Sequence, residues 1–176
     1  MRRWYSTEEG TPLLATVSLE QVYHTELIDG REIQKPLPKK LHAFVQRFLL
    51  LALTRDLPAS YLALPELNVV CGEDRLVPDL TIASRRAQYR DGDLVEPPCF
   101  AIEIVSPGRT IAQLFDRAGR LCLAGTPLCW VIWPERKKAW QYSSEDLTEA
   151  KEILTAPLPE GASVSIRLAE IWLDLE

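Results

Sequence analysis

The chain has 176 residues, 47% of them apolar and 26% charged, with a formal net charge of −5 and a pI near 5.2. That is room for one domain with its own core, and the composition argues against disorder. The longest uncharged stretch, Leu121 to Pro134, has 14 residues, short of the ~20 a membrane helix requires. The start, MRRWYSTEEGTPLL, carries no apolar run before its first glutamates, so no signal peptide is expected. An acidic chain is a poor candidate for coating nucleic acid by phosphate neutralisation alone. Acidity does not exclude an enzyme that cuts nucleic acid, because a carboxylate metal site is itself acidic. The cysteines at 71, 99, 122 and 129 form no C-x-x-C, and the only histidines are His24 and His42. A zinc site is not expected. The thiols read as buried and reduced, in a cytoplasmic protein.

Residues 1–17 read as an N-terminal lead-in and 18–176 as a single domain. Ser18 and Gln21 have capping-box spacing at the start of a short helix. TELIDGREIQ predicts two short strands across Asp29-Gly30, a tight-hairpin signal. From Lys39 to Asp56 apolar residues recur at helical spacing: Leu41, Phe44, Val45, Phe48, Leu49, Ala52 and Leu53. Short strands follow around 61–63, 66–71 and 76–83. Residues 84–98 are polar and read as a loop. Cys99 to Val105 reads as a central strand, 109–124 as a helix, and 128–133, 139–142 and 152–154 as strands. The tail predicts a strand over SVSI and then one or two helical turns. The order predicts an α/β (α+β) domain with one sheet and at least two helices.

Two acids stand in strands that should be interior. Asp79 lies in RLVPDLTIA, where alternation puts Val77, Asp79 and Thr81 on one face. Glu103 lies in CFAIEIV with six apolar neighbours. A lone buried carboxylate costs several kcal/mol unless it is paired, protonated or bound to a cation. Each acid alone also fits a structural role, a salt bridge for Glu103 and an edge position for Asp79. Two in successive strands favour a metal site, and oxygen ligands suit magnesium or manganese.

These residues resemble a known family. Asp79 follows Pro78, and Glu103 falls in AIEIVSP, 24 positions on. This layout is similar to the PD-(D/E)XK nuclease superfamily and, more narrowly, to the Uma-type family of restriction-endonuclease-like proteins. The further matches are the strand pair TELIDGREI, His42 on the following helix, Ser106-Pro107, and Gly125 five residues before Trp130. The resemblance runs from about residue 18 to 142. It implies a mixed central sheet flanked by helices and a metal-dependent endonuclease acting on DNA. Asp79 and Glu103 would hold Mg²⁺ or Mn²⁺, and Glu26 would be a further acidic contributor.

The chain departs from the pattern at its positive residue. The superfamily places a lysine two residues after the second acid, which here is Val105. The Uma-type family supplies it from the next helix, four residues after an aspartate. Ungapped counting puts those positions at Gln113 and Arg117. Asp116 and Arg120 have the same spacing but point away from the apolar stripe of Ile111, Leu114, Phe115, Ala118, Leu121 and Cys122, and read as an exposed pair. Arg117 sits at the stripe's edge and is the candidate catalytic cation. If so, Arg117→Lys should keep or raise activity and Arg117→Ala should lower it. Arginine keeps its charge but cannot act as a base.

The other candidates carry less. His42 reads as a helix histidine rather than a ligand, and Ser106 has no histidine near it in sequence. Arg85, Arg86 and Arg90, and Arg136, Lys137 and Lys138, read as solvated clusters that a duplex would need. Three readings remain open: a metal-dependent endonuclease, a catalytically degenerate nuclease fold acting as a binding or assembly module, and an unrelated α+β domain of structural role. The tryptophans at 130, 133, 140 and 172 make a homodimer an expectation, with core packing as the alternative.

Overall fold

A tight turn opens the structure. The computed structural model describes residues 25–35, 37–173 and 175; the expected lead-in and the helix from Ser18 lie outside them. Strands β1 (Thr25–Ile28) and β2 (Arg31–Gln34) pair across Asp29-Gly30. Both turn residues have positive φ, 51° and 73°, which Asp-Gly tolerates and which matches the twist of a hairpin. Helix α1 (Lys40–Asp56) buries His42, Val45, Leu49, Ala52 and Leu53 on one face. It ends before Pro58, which cannot continue it. Then follow β3 (Tyr61–Pro65), β4 (Val69–Cys71), β5 (Asp74–Leu76) and β6 (Leu80–Ser84). The stretch expected to be a loop contains a short hairpin, β7 (Tyr89–Arg90) and β8 (Asp93–Leu94), turned at Asp91-Gly92. Strand β9 (Phe100–Ile104) leads to helix α2 (Ile111–Leu123) and back to β10 (Cys129–Trp133). The chain ends with β11 (Lys138–Tyr142), β12 (Leu147–Ala150), β13 (Ile153–Pro157), β14 (Ser163–Arg167) and α3 (Leu168–Leu173). Strand β12, LTEA, has too little apolar character to be read from pattern.

The central sheet has the order β12-β11-β10-β9-β6-β3, and only β9 and β10 run parallel. This explains why CFAIEIV and CWVIW are almost wholly apolar: a parallel pair joined by a crossover helix is covered on both faces. On one face Phe100, Ile102, Trp130 and Ile132 meet Val45, Leu49 and Leu53 of α1. On the other, Ala101, Cys129 and Val131 meet Leu114, Ala118 and Leu121 of α2. A second six-stranded sheet, β2-β1-β5-β4-β8-β7, packs beside α2, and β13 and β14 form a separate hairpin.

Helix α2 is delimited by its own chemistry. Thr110 caps it: the hydroxyl accepts from Gln113 N at 3.3 Å, and Gln113 Oε1 accepts from Thr110 N at 2.8 Å. At the other end Thr126 N donates to Leu121 O and Gly125 N to Cys122 O, a Schellman closure. Gly125 adopts φ 106°, and a Cβ there would lie 2.9 Å from the Pro97 ring. The glycine is required on both counts.

All four cysteines are free, and Cys99 is half-buried rather than buried. No described helix is long and apolar enough to cross a membrane. Of the tryptophans behind the dimer expectation, Trp130 is fully buried and Trp133, Trp140 and Trp172 are half-buried in the packing.

Candidate active site

Sheet register brings the two strand acids together. Leu80 pairs with Ile102 and Thr81 with Ala101. One step further along this register sets Asp79, just before β6, across from Glu103. Alternation turns Glu103 with Ala101 and Val105 toward α2. Asp79 Oδ2 accepts from Ile104 N at 2.6 Å, which fixes its carboxylate against the β9 backbone. Both acids line a cavity of about 10 Å³, shared with Lys35, His42, Ser106 and Arg109. That is room for about one water-sized or ion-sized species.

Arg117 is buried and belongs to the apolar stripe of α2. Its guanidinium forms a fork on Glu26, Nη1 to Oε2 at 2.6 Å and Nη2 to Oε1 at 2.7 Å. Nη2 also donates to Glu103 Oε1 at 2.9 Å and to Val77 O at 3.2 Å. Glu26, fully buried on β1, accepts from Val77 N at 2.8 Å as well. Arg117 therefore reaches Glu103, but as a bracket between Glu26, β9 and the segment before β6. Glu26 serves as that bracket's counter-ion. Gln113 is used in the helix cap. Asp116 and Arg120 form the exposed i,i+4 pair, at 3.0 Å, and Arg120 also binds Asp29 and Asp74.

The position of Lys35 was not legible in the sequence, where it reads as part of a polar connection before Pro36. Its side chain is only 9% exposed, and its Nζ lies 2.7 Å from Asp79 Oδ1 and 2.6 Å from Glu66 Oε2. Glu66 Oε1 accepts from Gln46, which also donates to Asp79 O. Sequence spacing also hides His42 and Ser106 from each other. The structure corrects this: Ser106 Oγ is 2.6 Å from His42 Nδ1, and His42 Nε2 is 3.4 Å from Asp79 Oδ1. His42 is thus part of the site rather than a simple helix histidine. Beyond the Lys35 and His42 contacts at Asp79 Oδ1, neither that oxygen nor His42 Nε2 has a hydrogen-bond partner among the described residues.

The electrostatics push the two strand acids apart. Burial works against the charge of Asp79, but Lys35 and His42 outweigh it and hold the carboxyl well below its ordinary range. Burial raises Glu103; the neighbouring charge of Asp79 adds to this, and Arg117 opposes it. Burial alone would lower Lys35, yet Asp79, Glu103 and Glu66 together raise it. Glu26 is held down despite burial by Arg117 and the Val77 amide.

Glu26 gives a pH prediction. Its ordinary value is 4.5 and its native value lies lower. Its contribution to stability is therefore fully present above that ordinary value and is lost as pH falls through the native one. Urea unfolding between about pH 7 and about pH 3 should show stability dropping on the acid side, and Glu26→Gln should flatten the drop. An unchanged acid slope in the mutant would assign the drop to other groups.

His42, Glu66 and Asp79 offer ligand atoms all within 4.8 Å of one another. Glu103 is not among these three; its Oε1 accepts from Arg117, and it lines the small cavity with Asp79 and His42. The donor set fits a divalent cation: two carboxylates and one imidazole, with the buried His42 Nε2 facing the Asp79 oxygen that Lys35 neutralises. Beside it a larger hollow of about 660 Å³ opens between the β1–β2 hairpin and α2. Arg109 lines both spaces, with Nη2 3.7 Å from Glu26.

The mixed sheet, its crossover helix and the acids at the ends of two neighbouring strands define a restriction-endonuclease-like α+β domain. A solved structure described as a putative nuclease belonging to DUF820, from Anabaena variabilis, superposes with a TM-score of 0.74, covering 86% of this chain and 91% of that one at 22% identity. A comparison with curated proteins finds no match. The family model Uma2, described as "Putative restriction endonuclease", matches residues 13–176, and the chain belongs to this family.

Proposed function

We propose that this protein is a metal-dependent endonuclease that hydrolyses DNA phosphodiester bonds, with its centre at Asp79. The observation that carries this is the approach of His42 Nε2 to Asp79 Oδ1, at 3.4 Å, beside an ion-sized cavity that Glu103 also lines. Family membership agrees with it.

Asp79, Glu66 and His42 would hold the cation, with Glu103 beside them. A divalent ion bound there supplies Lewis acidity toward a phosphoryl oxygen and lowers the pKa of a bound water. The imidazole tilts the preference from magnesium toward manganese. Ser106 orients the His42 ring through Nδ1 and leaves Nε2 facing Asp79, as a partner behind a metal-binding histidine does. Asp79 is positioned by Ile104 N, and Glu103 by Arg117. Arg109, at the boundary with the larger hollow, offers positive charge where a phosphate would enter.

The reading is tested by incubating purified protein with supercoiled plasmid and with a single-stranded RNA, in Mn²⁺, in Mg²⁺ and in EDTA. Nicking or linearisation of the plasmid is expected with Mn²⁺ at least as fast as with Mg²⁺, and none in EDTA. Cleavage persisting in EDTA would place the chemistry elsewhere. RNA cut in preference to plasmid would correct the substrate. A second reading, a fold kept as a binding or assembly module, is supported by the internal neutralisation of the acids by Lys35 and Arg117. A folded protein inert on both nucleic acids in both metals would favour it.

A further inference from the structure

Arg117 has no freedom to meet a substrate. Turning away would leave Glu26 buried without its fork, and break contacts to Val77 and Glu103. Lys35 is differently placed. It follows β2, whose four residues are all exposed, yet its own side chain is tucked into the acid cluster. An ammonium is a compact charge on a flexible four-carbon stem, able to exchange partners where a bidentate guanidinium is fixed. Its Nζ rests on Asp79 Oδ1 and Glu66 Oε2. Both residues belong to the group of three that could ligate a cation. The cavity that Lys35, His42 and Asp79 line has room for about one small species. The ammonium and a divalent cation therefore compete for the same carboxylates.

We propose that Lys35 is a displaceable internal cation: it neutralises Asp79 and Glu66 in the free protein, yields them to a divalent ion, and then presents its ammonium to the substrate phosphate. The second half rests on the nuclease reading; the first does not. Lys35 thereby takes, from the hairpin, the place of the lysine that both strand β9 and helix α2 lack.

The test is a calorimetric titration of Mn²⁺ into wild type, Lys35→Met and Lys35→Arg, with folding checked by circular dichroism. Lys35→Met should bind Mn²⁺ about tenfold tighter or better, because no resident charge has to leave. Lys35→Arg should show no gain. Equal or weaker binding by Lys35→Met, or a tenfold gain in Lys35→Arg, overturns the displacement. If Lys35→Met does not fold, wild type alone decides. Acetylation at Lys35, read by mass spectrometry, should rise several-fold on adding Mn²⁺ while exposed Lys138 stays constant; an unchanged Lys35 rate overturns the proposal. Single-turnover plasmid cleavage at saturating Mn²⁺ tests the second half. Lys35→Met should be slower by about 10²-fold, the cost of losing one preorganised charge at the reacting phosphate, and Lys35→Arg should recover part of that. A wild-type rate in Lys35→Met reduces Lys35 to a counter-ion and overturns the substrate role. A wild type that cuts nothing, with tighter Mn²⁺ binding in Lys35→Met, refutes the nuclease reading and the substrate role while leaving the displacement standing.

Discussion

Arg117→Met should lower the unfolding free energy by about 3–5 kcal/mol, the cost of removing one partner from a buried ion pair. The expectation follows from what the arginine leaves behind. Glu26 is fully buried and would keep only the Val77 amide and a distant Arg109; Glu103 Oε1 would lose its donor. Arg117→Lys should also destabilise, because an ammonium cannot make the two-point contact with Glu26 while bonding Glu103 and Val77. The sequence alone suggests that lysine at this position restores a catalytic amine; the geometry adds a loss of stability to that expectation. Urea unfolding followed by tryptophan fluorescence, with Trp130 as a buried reporter, measures it. A drop below about 1 kcal/mol would put the pair in the weak class of exposed bridges and free Arg117 for a role in the chemistry.

Glu103→Gln and Asp79→Asn should each reduce Mn²⁺-dependent cleavage by at least about 10³-fold, taking removal of a carboxylate charge at the cation site as no milder than loss of an oxyanion donor. Their stabilities should diverge. Glu103→Gln keeps an oxygen for Arg117, which retains its fork on Glu26, and the lost charge is one that burial already disfavours. Its cost should be about 1 kcal/mol, that of one weakened hydrogen bond. Asp79→Asn removes the charge that Lys35 and His42 face and leaves the lysine with Glu66 alone. Single-turnover rates beside urea midpoints separate the two effects. Undiminished cleavage in either mutant would move the site away from these strands.

The acids just before β6 and within β9 were legible because charge in an apolar run is a local contradiction that only a site or a pair resolves. The helices α1 and α2 were legible from period, and the first hairpin from Asp29-Gly30. Lys35 was not, because nothing in its neighbours distinguishes it from a solvated lysine; its burial exists only through α1, β6 and the loop at Glu66. The His42–Ser106 contact spans 64 positions and has no local trace. The role of Arg117 was legible in place but not in kind, since a helical wheel reports that a residue faces inward without naming the acid it meets. Strands β7, β8 and β12 were missed because two-residue strands, and a polar strand at a sheet edge, carry no alternation to read.

The site is built partly on a lightly paired piece of the sheet system. The β1–β2 hairpin, which brings in Glu26 and Lys35, has a single register pair to the rest of its sheet, Leu27 with Arg75. Its tip is pinned by Arg120, which grips Asp29 and Asp74 in partly exposed contacts, and its base by the Glu26–Arg117 fork. Salt screens the first of these far more than the second. Local opening of the hairpin costs less than global unfolding, so its backbone amides should be among the quickest of the sheet residues to exchange with solvent. Each such opening takes a lysine from Asp79 and a glutamate from Arg117 while β6, β9 and α2 stay folded. The central sheet keeps its shape, and the pocket's charge balance fluctuates with the hairpin.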